Sequence, residues 1–144
     1  MNHSSLGVSL IELLLVVAII VILGTATTPF LSNFISRNNY ETSVDKVVST
    51  LKKAQGYSIS GKDASSWGVC LASGNKIRLY RDSCSTPDFS EDFDVPDSVT
   101  ISGLSDTTFS ILRGEPSQGL TITVSTEIGS RTVSVNAAGM IDVD

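Results

Sequence analysis

The chain has 144 residues, with 10 Lys and Arg against 15 Asp and Glu and a formal charge of −5. That acidic balance does not suit a nucleic-acid partner. Its one histidine, His3, stands at the extreme N-terminus, and no Gly-x-Ser-x-Gly, phosphate-binding loop or zinc-ligand spacing follows, so the sequence points to no enzyme and no cofactor.

From Gly7 the chain reads GVSLIELLLVVAIIVILGTATTPFLSNFI. Between Leu13 and Ser36 there is no Asp, Glu, Lys or Arg, and Glu12 is the lone carboxylate near the start of the run. As a helix, Val8 to Phe30 would reach about 35 Å, against a bilayer core of about 30 Å, so the length predicts a transmembrane helix. A charge in hydrocarbon costs roughly 2.5–3.5 kcal/mol or more, which makes Glu12 a candidate functional residue. Three other readings exist. A secretory signal peptide could use Gly24-Thr25-Ala26 as its cleavage site, but residues 1–7 hold no Lys or Arg and Glu12 would lie inside the apolar region. A plain membrane anchor leaves Glu12 unexplained, and a buried core helix sits badly with so long an uncharged run. Pro29 removes a backbone donor and clashes with the preceding turn, while Gly24, Thr25, Thr27 and Thr28 weaken helical propensity, so a kink is expected near Pro29.

The stretch Gly7-Val8-Ser9-Leu10-Ile11-Glu12-Leu13-Leu14 resembles the processing site of type IV prepilins and type II secretion pseudopilins. The resemblance implies a prepilin peptidase that cuts after Gly7, N-methylation of the new terminal residue Val8, and Glu12 as the fifth residue of the mature chain. Pro29 then falls where many type IV pilins carry a helix-breaking proline. The chain departs from the family in a leader without Lys or Arg, and in Val8 where Phe, Met or Leu is usual. After such a cut, the α-amino group of Val8 and the carboxylate of Glu12 are each costly to bury, and as a pair they offset one another. Within one helix they share a face. Between helices, the amine of an incoming subunit meets Glu12 of one already in place, which makes Glu12 a register device for assembly. The simpler alternative is that Glu12 snorkels toward the headgroups.

Past Pro29 the helix is expected to resume. Leu31, Phe34 and Ile35 share a face, and Val44, Val47, Val48, Leu51 and Ala54 recur at helical spacing. The helix should end near Ser58–Gly61, with its apolar face on a sheet. Trp67, Val69 and Leu71 alternate with polar or small residues, as do Ile77 and Leu79. A hairpin about Gly74 sets Leu71 opposite Ile77 and Val69 opposite Leu79. Further strands are expected at Ser98–Ile101, Thr107–Leu112, Leu120–Ser125, Arg131–Asn136 and Met140–Val143. The pattern is α+β: one long N-terminal helix, transmembrane in its first half and kinked near Pro29, packed on an antiparallel sheet. Leu51-Lys52-Lys53-Ala54-Gln55, Trp67-Gly68-Val69 and the run from Arg131 to Gly139 resemble H-type pseudopilins and related minor pilins, which implies the pilin fold.

A domain displayed outside the cytoplasm would meet oxidising conditions, so a Cys70–Cys84 disulfide is expected, with two free thiols as the alternative. The hairpin does not set them opposite each other, so residues 82–84 would have to fold back across the face that Cys70 shares with Arg78 and Tyr80. The acidic group Asp88, Glu91, Asp92, Asp94 and Asp97 reads as a solvated loop, with a calcium site as the sharper alternative.

The expected organisation is a leader at 1–7, a transmembrane and filament-core helix at 8–30, its amphipathic continuation at 31–60 and a sheet domain at 61–144. The resemblance implies a structural subunit of a type IV pilus or related filament, with adhesion, twitching motility or protein secretion as the associated processes. Its partners would be copies of itself or other pilin subunits, the prepilin peptidase, an assembly platform and, before assembly, the membrane. It would cross the cytoplasmic membrane once before assembly and be extracellular in the filament. A minor pilin or pseudopilin is the nearest alternative. A membrane-anchored or secreted binding module is the alternative from another class.

Overall fold

The computed structural model describes residues 9–144, without the side chains of residues 26–30. The cleavage and methylation sites at Gly7 and Val8 lie outside the described residues, as does the side chain of Pro29, whose backbone is helical. Helix α1 spans Leu10–Ile59. The chain divides into two compact units, Met1–Ile35 and Ser36–Asp144.

The second unit holds the core. Here α1 lays down Val44, Val47, Leu51 and Ala54 at the spacing of one helix face, with Tyr40 a turn earlier. The helix stops where Gly61 takes a left-handed backbone, φ 63°, and its N–H donates to the Ser58 carbonyl. Eight strands follow: β1 (Trp67–Ala72), β2 (Lys76–Arg81), β3 (Phe89–Asp94), β4 (Thr100–Ser102), β5 (Thr107–Phe109), β6 (Leu120–Thr126), β7 (Gly129–Val135) and β8 (Ile141–Val143). The β1–β2 hairpin pairs Val69 with Leu79 and Leu71 with Ile77.

Two parts of the expected fold class are corrected. Among the described residues no helix is long and apolar enough to cross a membrane. The described apolar stretch of the first unit, from Leu10 to Thr25, is shorter than the roughly 20 residues a span takes. The strands also form two four-stranded antiparallel sheets rather than one, in the orders β3-β2-β1-β5 and β4-β6-β7-β8. Alternation along a strand tells which residues share a face, but not which strand lies beside it. Here β5 returns to pair with β1 and β4 pairs with β6.

Helix and both sheets bury one continuous cluster. Trp67, Val69, Ile77, Leu79 and Phe109 come from the first sheet, and Ile101, Ile122, Val124, Val133 and Val135 from the second. Polar side chains fasten the helix end to this core. The Ser58 hydroxyl accepts the Trp67 N–H at 3.0 Å, and the Gln55 amide donates to the carbonyls of Gly114 and Gly139 at 3.0 and 2.7 Å. Asn75, at φ 54° in the hairpin turn, donates to the Val99 carbonyl at 3.0 Å and so ties the first sheet to the start of the second.

Candidate functional site

The first unit begins with a capped helix. Ser9 precedes α1, and its hydroxyl accepts the Glu12 N–H at 3.3 Å while its carbonyl accepts the same N–H at 3.0 Å. Ser9-x-x-Glu12 is the sequence of a capping box, a signal that reading Glu12 only as a charge in an apolar run overlooks. A carboxylate in the first turn also meets the positive end of the helix dipole. The bonds to Ser9 come from the Glu12 backbone, so its carboxylate acts locally through the helix dipole.

From there the helix is apolar on every side. Leu13, Leu14, Leu15 and Val16 are successive positions 100° apart, and they are 59, 59, 58 and 49 % exposed. Leu31, Phe34 and Ile35 are exposed as well. A helix apolar all round is ordinarily a covered element. What it can do chemically is pack against another apolar surface, with Glu12 as the one charge near its start.

In the second unit the acidic group is not a loop. Three of its five residues, Glu91, Asp92 and Asp94, belong to β3, an edge strand that pairs with β2 so that Lys76 faces Asp94 and Arg78 faces Asp92. Arg78 binds Asp92 through two nitrogens, at 2.7 and 2.8 Å. Lys76 meets Asp94 at 3.0 Å, Lys53 of α1 meets Glu91 at 2.5 Å, and Arg81 reaches Asp63 at 3.1 Å and Asp88 at 3.7 Å. These carboxylates balance cations of the same sheet and helix, and no group able to hold a metal ion occurs among the described residues. The hydrogen bond from Arg78 holds the Asp92 carboxyl below the usual carboxylate range, against a smaller opposing effect of burial. A depressed carboxylate supports the fold above its unfolded pKa of about 3.9 and loses that contribution as pH falls through its folded value. Asp92→Asn is therefore expected to be less stable than the parent at pH 7, with the gap closing below pH 4. Urea midpoints at pH 7, 4 and 2 check this.

Cys70 and Cys84 form a disulfide, with Cα atoms 6.3 Å apart. The segment after β2 folds back across the face that Cys70 shares with Arg78, and an Arg78 guanidinium N–H donates to the Cys84 carbonyl at 3.3 Å. Closing a loop of this length is worth about 3 kcal/mol in the chain-entropy model. The Cys70→Ser, Cys84→Ser double variant is expected to lose about that much, read as a lower urea midpoint. The parent treated with reductant should move the same way.

In β2, beside Gly68 of β1, the buried Tyr80 hydroxyl donates to Asp106. Burial and that hydrogen bond both push the phenol up. Two surface cavities of about 540 and 530 Å³ lie on this unit. The first is lined by hydroxyls with Asp97 and Glu127, the second by Arg37, Tyr40, Glu41, Arg131 and Asp144. Arg131 and Glu41 in the second are bonded to each other at 3.3 Å.

Compared with known proteins, the chain matches no family model, no curated protein and no solved structure.

Proposed function

We propose that the chain is a structural subunit of a filament of the type IV pilin and type II secretion pseudopilin kind, cut after Gly7, methylated at Val8 and assembled extracellularly through its N-terminal helix. The observation that supports this most is the first part of α1, residues 10–23: apolar around its whole circumference, exposed, and bearing one carboxylate near its start. Copies of that helix, or those of related subunits, are the natural cover for it. In such a contact Glu12 is the one group able to choose an offset, by pairing with the α-amino group of a neighbouring copy. The Cys70–Cys84 bridge suits a domain that works in an oxidising space.

N-terminal sequencing and mass measurement of the mature protein test the processing. A methylated Val8 is the expected terminus, and a terminus at Thr27 would replace this reading with a secreted module. Glu12→Gln separates the charge from the cap, because glutamine keeps the capping-box pattern. Loss of assembly in Glu12→Gln with unchanged helix content assigns the register role to the charge. Normal assembly removes that role.

A further inference from the structure

The two surface cavities of the second unit flank the start of its part of α1, on either side of the turn between β6 and β7. They differ in charge. The first holds Ser36 of α1 and lies toward β4, one margin of the second sheet, with Asp97, Thr100, Ser125 and Glu127 on its walls. The second holds Arg37, the next residue of α1, and lies toward β8, the opposite margin, with Tyr40, Ile128 and Arg131. Most charges of this unit are paired within the chain, but the exceptions at the two cavities are opposite in sign. Asp97 and Glu127 are exposed and in no ion pair among the described residues, and their cavity holds hydroxyls and no cation. Arg37 is exposed and likewise in no ion pair. The acids on its side are Glu41, taken by Arg131 at 3.3 Å, and Asp144, which forms no ion pair with either arginine.

We propose that Arg37 of one copy docks between Asp97 and Glu127 of a second copy lying alongside it in the same orientation. The two cavities stand at one level of α1 and at opposite margins of one sheet, so neighbours placed side by side bring the arginine flank of one to the acidic flank of the next. A guanidinium fork suits carboxylate partners. No other cation fits as well. Lys46 donates to the Asp94 carbonyl, and Lys62 lies 3.8 Å over the Tyr57 ring. Lys52 is in no ion pair, but it stands about 22 Å further along α1 than Arg37. Asp45 and Asp82, acids in no ion pair, line neither cavity. The contact joins different surfaces of one chain, so it is heterologous and propagates when the rotation does not close. Exposed ion pairs add little adhesion, so the apolar helices hold the copies while this pair selects which flank meets which. The proposal rests on the filament reading and adds a specific contact to it.

The test uses the full chain in two charge-reversed forms, Arg37→Glu and the double variant Asp97→Lys, Glu127→Lys. All three side chains are exposed, so both forms should melt within a few degrees of the parent. Alone, each form sets like charges together, and the concentration at which particles sediment should rise about tenfold or more. Mixed in equal amounts, the two forms should sediment near the parent's concentration, because each reversed flank then meets its complement on the other form. As a second measurement, Arg37→Lys treated with a carbodiimide should gain an amide to Asp97 or Glu127 of another copy. Mass spectrometry on a mixture of isotope-labelled and unlabelled chains detects it. Reversed forms that each sediment like the parent, a mixture no better than its components, or an amide that maps elsewhere overturn the contact and leave the filament reading standing. A parent that forms no particles at any concentration removes both.

Discussion

Cut back to residues 36–144, the chain is expected to behave as a monomer in plain buffer, at concentrations where the full chain sediments as large particles. The buried core begins at Tyr40, so the truncation removes none of it. Ser36–Asp144 is a compact unit in its own right, with the helix face, both sheets and the disulfide intact. Among its described residues the removed part exposes every large apolar side chain from Leu10 to Leu23, with Leu31, Phe34 and Ile35. Light scattering should therefore fall to the mass of one chain, and the melting temperature should stay within a few degrees of the parent's. A truncated chain that still sediments would place the associating surface in the second unit alone. One that unfolds would show that the core depends on residues before Ser36.

Gly68→Ala is expected to destabilise the second unit by about 4 kcal/mol. Gly68 sits in β1, the central strand between β2 and β5, directly across from Tyr80. The Tyr80 ring crosses the place where a side chain would begin: a methyl there would overlap the ring carbon and hydroxyl, and would fall 2.7 Å from the Thr107 carbonyl. Tyr80 has nowhere to swing, since it is fully buried and its hydroxyl is committed to Asp106. Overpacking a core costs about 1–3 kcal/mol, and breaking a hydrogen bond to a charged group adds about 1.5–3. Against a total stability of roughly 5–15 kcal/mol, the melting temperature should drop by about 15 °C. The matching control is Gly56→Ala, inside α1 with nothing within 4 Å of the added methyl. It should move the other way by about 0.5–1 kcal/mol, because alanine is the better helix former.

What could be read in the sequence was whatever follows from local periodicity. The face Val44-Val47-Leu51-Ala54 is buried as its spacing says. The β1–β2 register follows from matching apolar positions about Gly74. β3 was not readable that way, because Asp is depleted in strands and three acids in six residues look like a loop. Its signal lay in the neighbouring strand: Lys76 and Arg78, two residues apart, match Asp94 and Asp92 across the pair. The split into two sheets had no local signal, since the pairings of β5 with β1 and of β4 with β6 join distant segments. At the N-terminus the charge of Glu12 drew attention to the residue, while Ser9, three positions earlier, caps the helix through the Glu12 backbone N–H.

The charged outer strand also governs how this protein avoids sticking to itself wrongly. Two copies brought edge to edge along β3 would set Asp92 and Asp94 against their own kind, and the last carbonyl of the strand is already taken by Lys46 at 2.7 Å. Like charges and capped backbone groups are a defence against runaway ribbon growth from an open sheet margin. The defence is electrical, so it weakens in strong acid, where amyloid-like cross-linking of the margins becomes the competing fate. At neutral pH that margin is fenced, so any contact between copies is steered to surfaces that carry no such fence.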